Sequence, residues 1–144
     1  MKFVSLEEGL TAGGQIDADE IGRLATEGVR RIVNLRPDGE KPGQLPAAEA
    51  ARIAAAHGIE YRHIPITMPD LSATQIRMVG NALDHADGPV FAHCGSGQRV
   101  ATLWALNGVL TGRVDREEAF RRVSQAGFDP APGSAWLDRH QVAS

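Results

Sequence analysis

Hydrophobic and polar positions along the chain switch repeatedly between a helical period and a strand period. Residues 15–28 predict a helix: Asp17 is placed as the N-cap, Glu20 three positions on completes a capping box, and Gly28 takes the left-handed stop. The next apolar run, with Ile32, Val33 and Leu35, predicts a short buried strand over 29–36. A polar loop with two Pro and two Gly follows. The Ala-rich stretch 46–58 predicts a helix opened by Pro46 in its first turn and closed by Gly58. Residues 59–66 alternate apolar and polar side chains as a strand does, and 67–70 reads as a turn-like loop. Ser72 and Gln75 form a second capping pair at the head of a helix over 72–88. A short apolar strand, 89–94, leads to helices over 99–112 and 115–127, the latter capped by Asp115 and Glu118, and to a short final helix over 134–141.

Strands separated by helices of this length imply right-handed crossovers between parallel strands. The expected class is α/β: a central, largely parallel sheet of about four to five strands with helices on both faces. In such sheets ligands sit beyond the carboxyl ends of the strands. Three loops leave those ends, 36–40, 67–70 and 94–99, and the topology makes them neighbours although they are far apart in sequence.

Composition narrows the function. A chain of 144 residues is expected to form a single domain, 1–144. Leu, Ile, Val and Phe make up about 23% of it, enough for a core. A lone Cys cannot form an internal disulfide, so a stapled secreted scaffold is excluded. No apolar run reaches the ~18 residues of a membrane span. The first ten residues have no long apolar stretch and carry Glu7 and Glu8, which does not read as a signal peptide. The expected location is therefore a reducing cytoplasm. A formal charge of -3 leaves no electrostatic footprint for nucleic acid.

The chemistry concentrates in residues 93–99, His-Cys-Gly-Ser-Gly-Gln-Arg, where a buried strand ends at Cys94 and a helix begins. Gly95 and Gly97 let the backbone bend so that successive N–H groups point at one anion. The helix N-terminus adds about half a positive charge. Arg99 supplies a planar fork of donors matched to phosphate oxygens. A free Cys at a strand end is more often a small buried hydrophobe, but in this setting the thiol becomes a nucleophile at the floor of an oxyanion cradle.

These residues resemble the signature of the cysteine-phosphatase superfamily, in its dual-specificity-like branch. The nearest likeness is to a bacterial family, the phosphatase-like domain of beta-lactamase-hydrolase-like proteins. It extends over most of the chain: residues 9–40 resemble that family's opening strand, helix and Asn-Leu-Arg strand, and 54–66 resemble the strand leading to its acid loop. The resemblance implies a phosphatase that hydrolyses phosphate monoesters, of tyrosine or dual specificity, through a phosphocysteine. Cys94 would be the nucleophile, and Arg99 with the N–H groups of Gly95, Ser96, Gly97 and Gln98 would bind the phosphoryl oxygens. His93 would brace the loop and ease ionisation of the thiol. No metal or other cofactor is implied. The expected partner is a phosphorylated substrate or a small oxyanion such as phosphate or sulfate.

Two departures keep other readings open. The broad phosphatase signature has five residues between Cys and Arg, whereas four separate Cys94 from Arg99. That spacing is similar to rhodanese-type sulfurtransferases, which form a persulfide. The residue after Arg99 is Val100, where many cysteine phosphatases carry a hydroxyl that assists the second half-reaction. A third reading is an inert module that binds an oxyanion without turnover.

A phosphatase also needs a proton donor for the leaving group. Asp70, in the loop after the 59–66 strand, is the first candidate, although an Asp there also suits a helix start. Asp38 is the second, although Pro-Asp-Gly is ordinary turn chemistry. The 67–70 loop holds no aromatic or basic residue, so nothing in it selects phosphotyrosine. Arg36 ends a strand facing the site and could bind an anionic substrate. His63 and His85 have no partners at metal-ligand spacing.

Overall fold

In the computed structural model, which describes residues 3–140, an antiparallel hairpin opens the chain: β1 (Phe3–Glu7) pairs with β2 (Leu10–Gly13) around Gly9, whose φ is +89°. Helix α1 (Ala18–Thr26) leads to β3 (Arg31–Asn34), and α2 (Ala47–Ala56) to β4 (Glu60–His63). A single 3₁₀ turn (Met68–Asp70) precedes α3 (Ala73–Ala82) and β5 (Val90–His93). Three helices close the fold: α4 (Gln98–Leu110), α5 (Arg116–Gln125) and α6 (Ala131–Arg139). The five strands form one sheet in the order β1-β2-β5-β3-β4, parallel everywhere except in the hairpin.

The expected α/β class and two-faced sheet are what the chain adopts. Neighbouring residues on β3 and β5 serve opposite cores, as the two-residue strand period requires. Ile32 and Phe91 pack under α1 and α2 with Ile21, Leu24, Ala50 and Ala54. Val33, Val90 and Ala92 face the other way, onto Ile76, Val79, Leu103, Leu106 and Trp136 from α3, α4 and α6. The Trp136 indole N–H donates to the Leu71 carbonyl at 2.8 Å, which satisfies the one polar atom of a fully buried ring.

Local signals set most element boundaries. Asp17 accepts from the Glu20 N–H, and the Glu20 carboxylate accepts from the Asp17 N–H, the reciprocal box the sequence predicts. Ser72 and Gln75 repeat it. At α5 only half forms: Asp115 caps the Glu118 N–H, while the Glu118 carboxylate binds Arg121 and Arg122.

Among the boundaries that differ from the sequence expectation, three have an identifiable physical cause. The strand β1 was not anticipated: its short run becomes a strand because it pairs with β2, and its Phe3 ring packs on Phe91 at 4.7 Å. Helix α3 stops at Ala82 rather than running to 88; the Asp84 carboxylate takes the Ala86 N–H, a local bond that competes with the helical ladder, and Arg31 takes the Ala82 and Asp84 carbonyls. Helix α6 begins at Ala131, three residues before Ser134, with the Asp129 carboxylate accepting its first N–H; the expected end at Gln141 lies outside the described residues. Among the described residues no helix is long and apolar enough to cross a membrane.

Candidate active site

The central strand β5 lies between β2 and β3, and both neighbours end in register with it: Gly13 and Asn34 are each paired with His93. The loop after His93 is therefore flanked by the segments leaving β2 and β3. The Cys94 N–H donates to the Gly13 carbonyl at 3.3 Å, and the His93 carbonyl accepts from the Leu35 N–H at 2.9 Å. Gly14 lets the β2 segment press against the loop: a Cβ there would lie 2.7 Å from the Gly95 carbonyl oxygen.

Cys94 is buried, 1% exposed, at the base of this loop. Its Sγ accepts the Gly97 N–H at 3.1 Å. The N–H groups of Gly95 and Ser96 donate to no other described residue, and that of Gln98 reaches the Ser96 hydroxyl at 3.3 Å. Gly97 turns the chain into α4 with φ +98°, and a Cβ on it would meet the Phe128 ring at 2.9 Å. Only glycine suits a position with both constraints. The Gln98 side chain grips the α5–α6 connection from both sides of one residue, donating to the Asp129 carbonyl at 2.7 Å and accepting its N–H at 2.9 Å. Its side chain thus positions the loop, a role that the reading of Gln98 as an amide donor missed.

His93 is almost wholly buried, and burial holds it down to about 4. It is neutral at physiological pH. Its ring stacks against Phe91, and its Nδ1–H donates to the Cys94 carbonyl at 3.3 Å. It therefore braces the loop without carrying charge.

Arg99 leaves the first turn of α4 and meets Glu40. Nη1 donates to Oε2 at 2.9 Å and Nη2 to Oε1 at 2.8 Å, while Nη1 also reaches the Ile66 carbonyl at 3.0 Å. This takes the end-on fork of the guanidinium and leaves the Nε edge free of Glu40. The Glu40 contact raises the Arg99 pKa further, and the Cys94 charge adds to it. Glu40 also accepts from Arg36 Nε at 2.9 Å. Hydrogen bonds from Arg99 first, then Arg36, bring the Glu40 carboxyl down to about 2, so it remains an anion across the physiological range. Glu40 was not anticipated from sequence; a carboxylate in a loop flanking a cationic cradle is the one signal that could have singled it out.

Arg36 is buried and lies against Gly95 of the loop. Its Nη1 donates to Gln15 Oε1 at 3.1 Å, its N–H to Asn34 Oδ1 at 2.8 Å, and its carbonyl accepts from His63 Nε2 at 2.7 Å. The Asn34 amide in turn donates to the Tyr61 hydroxyl at 2.8 Å.

The two candidate acids part company. Asp38 accepts the Ala47 N–H at 2.9 Å and so supplies the cap that Pro46 cannot give to α2. Asp70 is exposed on the 3₁₀ turn, four residues after the Ile66 carbonyl that Arg99 touches; α3 is capped by Ser72, so the helix start does not need it. Among the described residues no three His, Cys, Asp or Glu side chains converge as metal ligands.

The sequence and the fold both have known relatives. Residues 2–111 match the family described as beta-lactamase hydrolase-like protein, phosphatase-like domain. Proteins named beta-lactamase hydrolase-like protein from Agrobacterium fabrum and Xylella fastidiosa are 37% and 36% identical to it over 143 residues. Each alignment takes in 99% of this chain but 33% of the relative, so the chain spans a third of the length of these relatives. A candidate phosphatase from Neisseria meningitidis superposes with a TM-score of 0.83 at 26% identity, over 96% of this chain and 98% of that one. PTPMT1 shares the fold at a TM-score of 0.73 and 17% identity, over 97% of this chain and 94% of that one. So does Pseudomonas aeruginosa TpbA, at 0.69 and 16%, over 95% and 83%.

Proposed function

The chain belongs to the family of phosphatase-like domains of beta-lactamase-hydrolase-like proteins, and from that premise we propose that it hydrolyses phosphate monoesters through a phosphocysteine on Cys94. The observation that supports the reading is the setting of Sγ: it accepts the Gly97 N–H at 3.1 Å, the next two N–H groups of its loop, those of Gly95 and Ser96, have no described acceptor, and the Arg99 guanidinium lies near enough for Cys94 to act on it.

The Cys94 thiolate attacks phosphorus, an S–P bond forms, and the bond from phosphorus to the ester oxygen breaks. The loop amides and the Nε edge of Arg99 take the equatorial oxygens, whose charge is best stabilised by donors already in place. Asp70, free of helix capping, gives its proton to the departing oxygen. Water then attacks phosphorus, returning a proton to the Asp70 carboxylate; the S–P bond breaks and inorganic phosphate leaves. Val100 is wholly buried and offers no hydroxyl to the departing sulfur, so the second step relies on the loop dipoles and Arg99.

The four-residue spacing between Cys94 and Arg99 favours one other chemistry, transfer of sulfur through a Cys94 persulfide. One paired assay separates the two: phosphate release from para-nitrophenyl phosphate, and thiocyanate formation from thiosulfate and cyanide, each on the native protein and on Cys94→Ser. Phosphate release that disappears in Cys94→Ser, with tungstate binding retained, is the expected result. Phosphate release that survives in Cys94→Ser defeats the mechanism. Thiocyanate alone reassigns the protein to sulfur transfer, and tungstate binding with neither turnover leaves an oxyanion-binding module.

A further inference from the structure

Beside the Cys94 loop lies a shallow depression of about 470 Å³, open to solvent and lined by Arg36, Glu40, Lys41, Gly95, Ser96 and Arg99. That is within the usual range for small-ligand sites, ~300–1,000 Å³, but the lining is unusual. Such sites are mostly apolar and aromatic, whereas this one has three cations, one carboxylate and no aromatic or large aliphatic side chain.

The phosphoryl-binding groups described above do not account for all of this charge. Arg99 is committed to the phosphoryl group and to Glu40. Arg36 is not: its side chain is 7% exposed, its Nε goes to Glu40 and its Nη1 to Gln15, and among the described residues its Nη2 donates to nothing. The Arg36 guanidinium lies against Gly95: a Cβ built there would sit 3.6 Å from Cζ, Nε and Nη2 alike. Those Nη2 N–H groups therefore remain available to a ligand. Lys41, next in sequence to Glu40, is exposed on the same depression and forms no ion pair with any described residue. Glu40, the one anion facing these groups, is already shared between two guanidiniums through a single oxygen, Oε1.

We propose that the Nη2 edge of Arg36, together with Lys41, forms a second anion subsite beside the Cys94 loop. The preferred substrates are then compact phosphate monoesters with a second anionic group, a carboxylate or another phosphate, close to the reacting phosphoryl. An aryl phosphate would find no apolar wall for its ring. This inference rests on the phosphatase reading and narrows its substrate class.

The test uses the whole chain and two substrates of the same skeleton, 3-phosphoglycerate and glycerol 3-phosphate, which differ in a carboxylate for a hydroxymethyl group. The expected kcat/KM ratio is about tenfold in favour of 3-phosphoglycerate, one charge-assisted contact's worth, and it is carried by KM because the contact exists before and during the reaction. In Lys41→Ala, an exposed change, the ratio falls several-fold. In Arg36→Gln it falls to about one, with thermal unfolding confirming that the variant folds. A ratio of one or less in the native protein, with para-nitrophenyl phosphate still hydrolysed in a Cys94-dependent way, overturns the subsite and leaves the phosphatase intact. An unchanged ratio in Lys41→Ala removes Lys41 from it. No phosphate release from any of the three substrates defeats the phosphatase reading and this proposal together.

Discussion

Glu40 and Arg99, 59 positions apart, form a two-point ion pair in which both carboxylate oxygens meet the end-on fork of the guanidinium at 2.9 and 2.8 Å. The pair fixes which edge of Arg99 remains for a ligand. A guanidinium pinned at Nη1 and Nη2 by Glu40 and at Nη1 by the Ile66 carbonyl leaves Nε as the donor these contacts do not use. Arg36 holds Glu40 from behind, so the anchor is itself anchored.

Glu40→Gln should therefore raise KM for para-nitrophenyl phosphate and lower kcat/KM about tenfold, the scale of one lost charge-assisted hydrogen bond. If Glu40 merely occupied Arg99 in competition with substrate, the same change would lower KM. Steady-state kinetics of this one variant separate positioning from competition.

Two groups give stability a pH dependence in different windows. Glu40 has a folded pKa of about 2 against an ordinary 4.5, so its stabilisation is complete at neutral pH and fades as pH falls from about 4.5 towards 2. His93 is held at about 4 against 6.5, so the unfolded chain binds a proton that the fold refuses, and stability declines as pH falls from about 6.5 to about 4. Melting temperatures of the native protein and Glu40→Gln, measured from pH 7 to pH 3, should run in parallel down to about pH 4.5 and then converge. A Glu40→Gln deficit as large at pH 3 as at pH 7 would contradict the ion pair.

Gly14→Ala tests whether the loop must sit where β2 holds it. The new Cβ would lie 2.7 Å from the Gly95 carbonyl oxygen, and neither backbone can yield without moving the other. A displacement approaching 1 Å at a reacting centre costs about a hundredfold in rate. The expected outcome is a fall of that order in kcat/KM, with weaker binding of tungstate by calorimetry. Wild-type kinetics in Gly14→Ala would mean that the loop relaxes freely.

Asp70→Asn should slow hydrolysis in proportion to the difficulty of the leaving group. With alkyl phosphates the loss is expected at ~10²-fold or more, the scale of a missing general acid, and with para-nitrophenyl phosphate much less. Equal losses on both would assign Asp70 a structural part. The companion change, Asp38→Asn, should act on stability instead, because its carboxylate caps α2 through the Ala47 N–H.

Much of the molecule was legible in the chain itself. Asp17 with Glu20, and Ser72 with Gln75, mark helix starts within four residues, because capping is a contact between a side chain and the nearest backbone. The alternation of such helices with short apolar strands sets the α/β class. The Cys94 loop was equally readable, since a thiol, two glycines and an arginine within six residues form one local turn. What the tertiary structure decided are the contacts between segments that share no local period. The first five described residues become a strand only beside β2, and Phe3 only by lying on Phe91. Asp38 became the cap of a helix that starts nine residues on, a contact that no local period announces. Glu40 reached Arg99, and the Arg36 guanidinium came to lie against Gly95, because β3 and β5 end in register at Asn34 and His93. Register is set by the packing of the whole sheet, and no spacing along the chain encodes which loop side chains it brings within hydrogen-bond reach.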